Sequence, residues 1–263
     1  MSKAKVFGVI ALKGGVGKTS VVANLGAALA KEFNKKVLLI DANFSTPHLG
    51  LHLGLVNPKN TLHHALNGKS TIHDAIYNHP LNFDIIPGAL SYSQVDPLKL
   101  SKAIEPLKEN YDVILIDSSP SLNDEIFATM SASDELLVVS TPDFPTLSST
   151  VRAIKIAKKK STPIRGIIIN KAHGKKFELS SKDIAKTSEI DVLATIPDDI
   201  HVLASLAEMT PVVQTKPNRE VSIMFKKLAA SLVNEQYQSQ KLLSKIRSAL
   251  RKMVAKKAKK EVK

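Results

Sequence analysis

Short apolar runs alternate with amphipathic stretches along most of the chain. Seven of these runs are mainly apolar, and they predict buried strands at residues 6–12, 37–40, 83–86, 113–116, 136–139, 164–169 and 192–196. Helical periodicity lies between them, most clearly at residues 19–32, 97–110, 146–160 and 180–189. Apolar strands that alternate with helices are typical of a parallel sheet covered on both faces. We therefore predict an α/β fold with a doubly wound, mostly parallel sheet and helices on both faces.

The distribution of linkers and apolar residues bounds the domain organisation. There is no evident linker before residue 236 and no internal repeat, which predicts one domain at residues 1–236 and a tail at residues 237–263. No run of about 18 apolar residues occurs, so neither a transmembrane helix nor a signal peptide is expected. The chain has no cysteine, which excludes disulfides, thiolate-bound metals and cysteine nucleophiles. These features favour a cytoplasmic protein.

Positive charge is concentrated in the tail. Residues 237–263 carry ten Lys or Arg against one Glu, which is +9 of the formal net charge of +13. A basic segment attached to a nearly balanced domain predicts a polyanionic partner, either an anionic membrane surface or nucleic acid. A solvated tail that only aids solubility is the alternative.

The tail also has an amphipathic pattern at residues 241–255. On a helical wheel of about 100° per residue, the apolar side chains share one side, namely Leu242, Leu243, Ile246, Ala249, Leu250, Met253 and Val254. Basic side chains lie opposite. This pattern predicts a C-terminal amphipathic helix that lies on an anionic membrane surface, which would make the protein peripherally membrane-associated. Docking of the same apolar stripe onto the domain or onto a partner helix is the alternative.

A glycine-rich motif, here called the P-loop, follows the first predicted strand. Residues 13–19 are Lys-Gly-Gly-Val-Gly-Lys-Thr and lead into a predicted helix. Glycines let successive backbone amides surround phosphate oxygens, and the helix N-terminus adds partial positive charge. In this pattern Lys18 meets the β- and γ-phosphates and Thr19 ligates Mg²⁺. The candidate nucleotide-binding residues are Gly14, Gly15, Val16, Gly17, Lys18, Thr19 and Ser20.

The P-loop departs from the ordinary spacing, because Leu12 occupies the position of a usual glycine and an extra lysine, Lys13, precedes the glycines. This form resembles the MinD/ParA family of deviant Walker A P-loop ATPases. Residues 41–54, here called switch I, are most similar to the MinD branch. The resemblance implies a P-loop NTPase fold, ATP and Mg²⁺ as cofactors, and a homodimer when ATP is bound. It also implies that Lys13 acts catalytically in trans, on the nucleotide of the partner.

The resemblance assigns further catalytic and metal residues. Asp117, which follows the strand at residues 113–116, is expected to hold Mg²⁺ through water, and Asp41 to act in catalysis beside the magnesium water shell. Asn43 occupies the position where most relatives have an Asp that positions the attacking water. A carboxamide can orient water but cannot accept its proton, so we expect slow hydrolysis while binding and dimerisation are retained.

Adenine contacts are expected at Asn170, Pro197 and Asp198 on the same resemblance. Judged without it, Asn170 could equally be a turn residue at the end of a strand. Histidines at positions 63, 64, 73 and 79 show no metal-binding spacing, and we interpret them as solvated helix positions.

Three functions remain open at this point. The first is a MinD-like spatial regulator of division, motility or other surface machinery, with an unidentified protein activator or cargo. The second is a ParA-like segregation ATPase that binds DNA through basic residues. The third is an ATP-dependent scaffold with little turnover, because Asn43 replaces the usual acid.

Overall fold

The computed structural model describes residues 3–91 and 94–237, so the predicted membrane-binding helix at 241–255 lies outside the described residues. An eight-stranded sheet forms the centre of this described chain. Its strands are β1 (Lys5–Ile10), β2 (Val37–Ala42), β3 (Tyr77–His79), β4 (Phe83–Ile86), β5 (Val113–Ser118), β6 (Glu135–Ser140), β7 (Ile164–Ala172) and β8 (Val192–Pro197). Their spatial order is β3-β4-β2-β5-β1-β6-β7-β8. All neighbouring pairs are parallel except β3 with β4.

Helices cover both faces of the sheet. The α-helices of the described residues are α1 (Lys18–Phe33), α2 (Leu49–His52), α3 (Leu62–Leu66), α4 (Leu100–Ile104), α5 (Asp124–Ala132), α6 (Phe144–Lys159), α7 (Ser181–Ser188), α8 (Ile200–Ala207), α9 (Val212–Thr215) and α10 (Glu220–Leu232). Helices α1, α9 and α10 pack on one face, and α4, α5, α6 and α7 pack on the other. The predicted α/β class and doubly wound, mostly parallel sheet are confirmed.

The central strands are mainly apolar because both of their faces are buried. In β1, Val6 packs into the core under α4 and α5 while Phe7 packs into the core under α1 and α10. In β2, every residue from Val37 to Ile40 is at most 1% exposed. Continuous burial explains why these runs lack the alternation of a half-exposed strand.

Several elements differ from the sequence prediction in their bounds or number, and three of these differences have a clear physical cause. β1 ends at Ile10 rather than at residue 12, because the chain turns there into the P-loop. The helix predicted at 97–110 is divided into 3-10 turns at Pro97–Lys99 and Glu105–Glu109 around α4. Pro106 lacks an N–H group and cannot continue the helical hydrogen bonds, which explains the break. The short antiparallel edge strand β3 was not predicted, since three residues give no readable period.

Among the helices of residues 3–91 and 94–237, none combines the length and apolar character needed to cross a membrane. The predicted boundary between domain and tail at residues 236 and 237 stays a prediction.

Candidate nucleotide site

The chain turns sharply between β1 and α1. Gly15 and Gly17 have positive φ angles of 77° and 90°, which residues with a side chain rarely adopt. Gly17 is the N-cap of α1, and within the described chain no side chain caps this helix. The first backbone N–H groups of α1 are therefore available to an anion. A Cβ on Gly14 or Gly15 would meet nothing within 4 Å, so the loop borders open space.

Two side chains at the end of β7 hold the P-loop in place. Asn170 Nδ2 donates to the Val16 carbonyl at 2.8 Å, and Lys171 Nζ donates to the Gly15 carbonyl at 2.8 Å. A Cβ on Gly17 would lie 2.4 Å from Asn170 Nδ2, and together with the φ of 90° this contact disfavours any residue with a side chain. Asn170 thus supports the P-loop directly, and its contact with adenine stays a prediction. Lys171 was not predicted as a site residue, because its position beside Asn170 is the only signal in the sequence.

A threonine and a carboxylate meet at the start of α1. Thr19 Oγ1 donates to Asp117 Oδ2 at 2.6 Å, which joins α1 to the end of β5. Asp117 Oδ1 is buried and has no hydrogen-bond partner within the described residues. A hard cation such as Mg²⁺ prefers oxygen ligands and keeps several waters, so an orphaned carboxylate oxygen beside a threonine hydroxyl fits it. The residues present therefore fit the ion that the sequence predicted.

Two buried acids lie side by side next to Lys18. Asp41 and Asp117 are partners in the β2–β5 register, and each is 1% exposed. Burial, and then the charge of Asp117, raises the pKa of Asp41 well above its usual range. Burial raises the pKa of Asp117 to about 6, although Lys18 and the hydroxyl of Thr19 oppose the shift. Burial lowers the pKa of Lys18, and Asp117 partly compensates. A bound cation would relieve this cluster of carboxylates.

The carboxylate of Asp41 organises switch I. Its Oδ2 accepts from Leu49 N at 2.9 Å and its Oδ1 accepts from Asn43 N at 3.2 Å. The side chain of Asn43 is itself bound to Thr46, because its Nδ2 donates to the Thr46 carbonyl and its Oδ1 accepts from Thr46 Oγ1 at 3.3 Å. Asn43 is 7% exposed and lines the phosphate cavity described below. The amide that replaces the usual acid is therefore held within its own loop.

Two anchors of switch I were not found from the sequence. Glu125, at the start of α5, accepts from both the hydroxyl and the backbone N–H of Ser45. His63 is only 1% exposed, so its interpretation as a solvated position was wrong. Its Nδ1 accepts from Ala89 N at 3.0 Å, which assigns the hydrogen to Nε2, and Nε2 lies 3.1 Å from the Phe44 carbonyl. Partners that are far apart in sequence explain why neither anchor was visible.

Lys13 extends from the P-loop to the start of α6. Its Nζ donates to Thr146 Oγ1 at 2.7 Å and forms an ion pair with Asp143 Oδ1 at 3.3 Å. Desolvation opposes ionisation of Asp143, but hydrogen bonds from Thr141, Thr146 and Lys13 lower its pKa to about 2. The side chain of Lys13 is 42% exposed, so it is partly accessible from solvent. Within one chain Lys13 is therefore held at the start of α6, and its action in trans stays a prediction.

Predicted site residues line two different cavities. The first, of about 300 Å³, is here called the phosphate cavity, and it is lined by Gly14, Gly15, Gly17, Lys18, Thr19, Ser20, Asn43, Thr46, His48, His52, Ser118 and Pro120. The second, of about 560 Å³, is lined by Pro197, Asp198, Asp199, Ile200, Asn218, Arg219 and Glu220. Pro197 and Asp198 thus lie outside the phosphate cavity. Asp198 N donates to the Ala172 carbonyl at 2.9 Å, which ties the second cavity to the end of β7, close to Asn170.

The chain is similar to known proteins in both sequence and structure. Residues 4–167 match the AAA_31 family, described as an AAA domain. An uncharacterised ATP-binding protein of Methanocaldococcus jannaschii is 34% identical over 231 residues, which covers 87% of each chain. The cell division ATPase MinD of Pyrococcus furiosus has a TM-score of 0.84 and 31% identity, over 88% of this chain and 99% of that chain. This chain belongs to the MinD/ParA family of P-loop ATPases.

Another MinD structure adds information on ligands. The septum site-determining protein MinD of Pyrococcus horikoshii, complexed with Mg-ADP, has a TM-score of 0.83 and 32% identity, over 87% of this chain and 96% of that chain. The matched residues 4–167 include the P-loop, switch I and Asp117. Asn170, Pro197 and Asp198 lie beyond that matched range, and their contacts with adenine stay a prediction.

Proposed function

We propose that this protein is an ATPase of the MinD type, which binds ATP with Mg²⁺, dimerises in that state and acts as a membrane-associated spatial regulator. One observation carries the proposal. The Thr19–Asp117 pair, with an orphaned carboxylate oxygen, lies at the N-terminus of α1 directly behind a glycine P-loop. A magnesium nucleotide would place phosphate oxygens at the free amides of the P-loop and Mg²⁺ beside the free carboxylate oxygen of Asp117. An anion alone or a cation alone would occupy only one of these two positions.

The residues of the phosphate cavity have separate tasks in this proposal. The amides of residues 14–19 surround the phosphates, and Lys18 contacts the β- and γ-phosphates. Thr19 and Asp117 hold Mg²⁺, Asp117 through water, and the ion when bound neutralises the charge that develops on the transferred phosphoryl group. Asn170 acts by keeping the P-loop in its curved form. Pro197 and Asp198 line the cavity that we assign to the adenine base.

We expect slow hydrolysis because the side chain at position 43, a carboxamide, cannot accept a proton. Attack of water on the γ-phosphate forms one P–O bond, breaks the bond to the β-phosphate oxygen and releases a proton. Asn43 can orient that water only after giving up its bonds to Thr46. Asp41, whose carboxylate oxygens accept from the backbone amides of Leu49 and Asn43, keeps switch I ordered beside the water. The ATP-bound state would therefore persist.

Dimerisation depends on Lys13. In a single chain Lys13 is bound by Asp143 and Thr146, and in the proposed ATP dimer it contacts the partner's phosphates instead. Lys13 would give up a partly exposed ion pair and gain a contact with a polyphosphate. This change favours the dimer only when the nucleotide carries enough negative charge. Each protomer would then supply one basic tail, and two weak membrane anchors gain avidity when linked. Relatives described as septum site-determining protein MinD and cell division ATPase MinD support a role of this kind, in cell division or at other surface machinery.

A DNA-binding function of the ParA type is the second candidate, and one observation favours it. Arg152, Lys155 and Lys159 are exposed on α6, on the side opposite its buried residues. They form a basic stripe within the domain itself, so polyanion binding need not depend on the tail.

Co-sedimentation tests both candidates. Full-length protein is mixed with vesicles of phosphatidylcholine and phosphatidylglycerol, or with duplex DNA, in ATP or ADP, while phosphate release is recorded. ATP-dependent recovery with vesicles alone supports the MinD-type function. ATP-dependent recovery with DNA alone, lost steeply with added salt, would replace it by the ParA-type function. Recovery with neither would contradict both.

A further inference from the structure

Two histidines of switch I line the phosphate cavity, and the sequence patterns used above did not single them out. His52 N donates to the His48 carbonyl at 3.0 Å, so the two residues are one helical turn apart. Side chains four residues apart lie on one side of a helix. His48 and His52 therefore border the same cavity as Lys18 and Thr19, on the switch I side.

His52 carries an unusual atom. Its Nδ1 is buried and has no hydrogen-bond partner within the described residues. A proton on that nitrogen would be a buried donor without an acceptor, whereas a bare lone pair there costs less. Burial, and then the neighbouring His48, lowers the pKa of His52, which favours the neutral ring. A neutral imidazole has one N–H group, which is therefore assigned to Nε2.

The phosphate cavity is built for an anion. Among the residues of the described chain that line it, Lys18 is the strong cation and no carboxylate occurs. The P-loop amides and Lys18 account for the phosphates nearest α1. In the proposed nucleotide complex, the last phosphate of a triphosphate would lie between the P-loop and switch I, where a diphosphate would have no group.

We propose that His52, with His48 beside it, donates a hydrogen bond from Nε2 to the terminal phosphate of bound ATP and thereby makes switch I discriminate ATP from ADP. The inference rests on the proposed nucleotide function and adds the side chains that recognise the third phosphate. Two imidazoles at this spacing also suit a transition metal, but residues 3–91 and 94–237 contain no group of three His, Cys, Asp or Glu placed to hold one.

Nucleotide affinity tests the inference without relying on turnover. Binding of ATPγS and of ADP, each with Mg²⁺, is measured by calorimetry for full-length wild-type protein and for His52→Leu, His52→Gln and His48→Leu. His73→Leu is the control, because His73 is exposed and lies outside the cavity. His52→Leu is expected to weaken ATPγS binding about tenfold and to leave ADP binding unchanged, since one hydrogen bond to a charged group is lost.

The remaining variants separate hydrogen bonding from folding. His52→Gln keeps an N–H donor near the position of Nε2, so it should retain most of the affinity for ATPγS. His48→Leu should lose less than His52→Leu. Equal weakening of ATPγS and ADP, no weakening, or a wild-type protein that does not distinguish the two nucleotides would overturn the inference. A wild-type protein that binds neither nucleotide would instead overturn the proposed function.

Discussion

The side chain of Asn43 lies between switch I and the phosphate cavity, with its amide bound to Thr46. Asn43→Asp supplies a group that can accept a proton from the attacking water, and general base catalysis contributes about 10²–10⁴-fold. We expect phosphate release by Asn43→Asp to be at least about 100-fold faster than wild type. Steady-state phosphate release with ATP and Mg²⁺ measures this, with Asn43→Ala as the control. An aspartate variant no faster than wild type would show that another group limits turnover.

His63 links switch I to the segment after β4, and its protonation state affects stability. Burial lowers its pKa below the ordinary 6.5, although the bond to Phe44 opposes the shift. The folded state then binds fewer protons than the unfolded state, so this contribution is complete above pH 6.5 and is lost as the pH falls through the folded pKa. Urea unfolding should therefore show a larger loss of stability between pH 7.5 and 5.5 for wild type than for His63→Gln. The same loss in both proteins would disprove this assignment.

At the scale of elements, the P-loop depends on its contact with β7. Gly17→Ala places a Cβ 2.4 Å from Asn170 Nδ2 at a φ of 90°. Left-handed backbone with a side chain costs about 1–2 kcal/mol, and the steric contact adds to that. We expect Gly17→Ala to lower the free energy of unfolding by at least this amount in urea denaturation.

Gly14→Ala is the matched control for that experiment. A Cβ at Gly14 meets nothing within 4 Å, so its unfolding free energy should remain close to that of wild type. Comparable destabilisation by both substitutions would mean that the approach of β7 is not what requires glycine at position 17.

At the scale of the whole molecule, the two P-loop lysines should separate binding from dimerisation. Lys18→Ala removes a charge-assisted contact worth about 1.5–3 kcal/mol and should weaken ATP binding by at least about tenfold. Lys13→Ala should retain ATP binding, because it leaves the contacts of Lys18 intact. It should lose the ATP-dependent dimer, because Lys13 is the residue proposed to contact the partner's phosphates. Light scattering after gel filtration in ATP or ADP measures the mass. A Lys13→Ala dimer as stable as that of wild type would contradict the trans role.

The tail is expected to carry membrane binding. Removal of residues 241–263 should abolish co-sedimentation with anionic vesicles while leaving nucleotide affinity unchanged, since the described nucleotide site lies within residues 13–220. Replacement of Leu243, Ile246 and Leu250 by Ser keeps the charge of the tail and removes three of the seven apolar side chains of its stripe, so it should weaken vesicle binding. Vesicle binding retained by the truncated protein would eliminate the tail as the anchor.

The sequence alone determined the features that depend on local spacing. Buried parallel strands require short apolar runs, and a phosphate loop requires glycines between a strand and a helix, so both are visible in consecutive residues. The doubly wound sheet and the family were predicted on this basis and confirmed. The broken helix at 97–110 was not predicted, although Pro106 was there to indicate it. The edge strand β3 is too short to have a period.

Tertiary structure alone decided how distant side chains meet. The β2–β5 register places Asp41 beside Asp117, and the adjacency of β7 to the P-loop gives Asn170 and Lys171 their partners. The contacts of Lys13 with α6 join residues about 130 positions apart. The walls of the phosphate cavity, including His52, come from separate loops at the carboxyl ends of parallel strands. No local pattern encodes such contacts, because burial and strand order, rather than sequence spacing, bring these groups together.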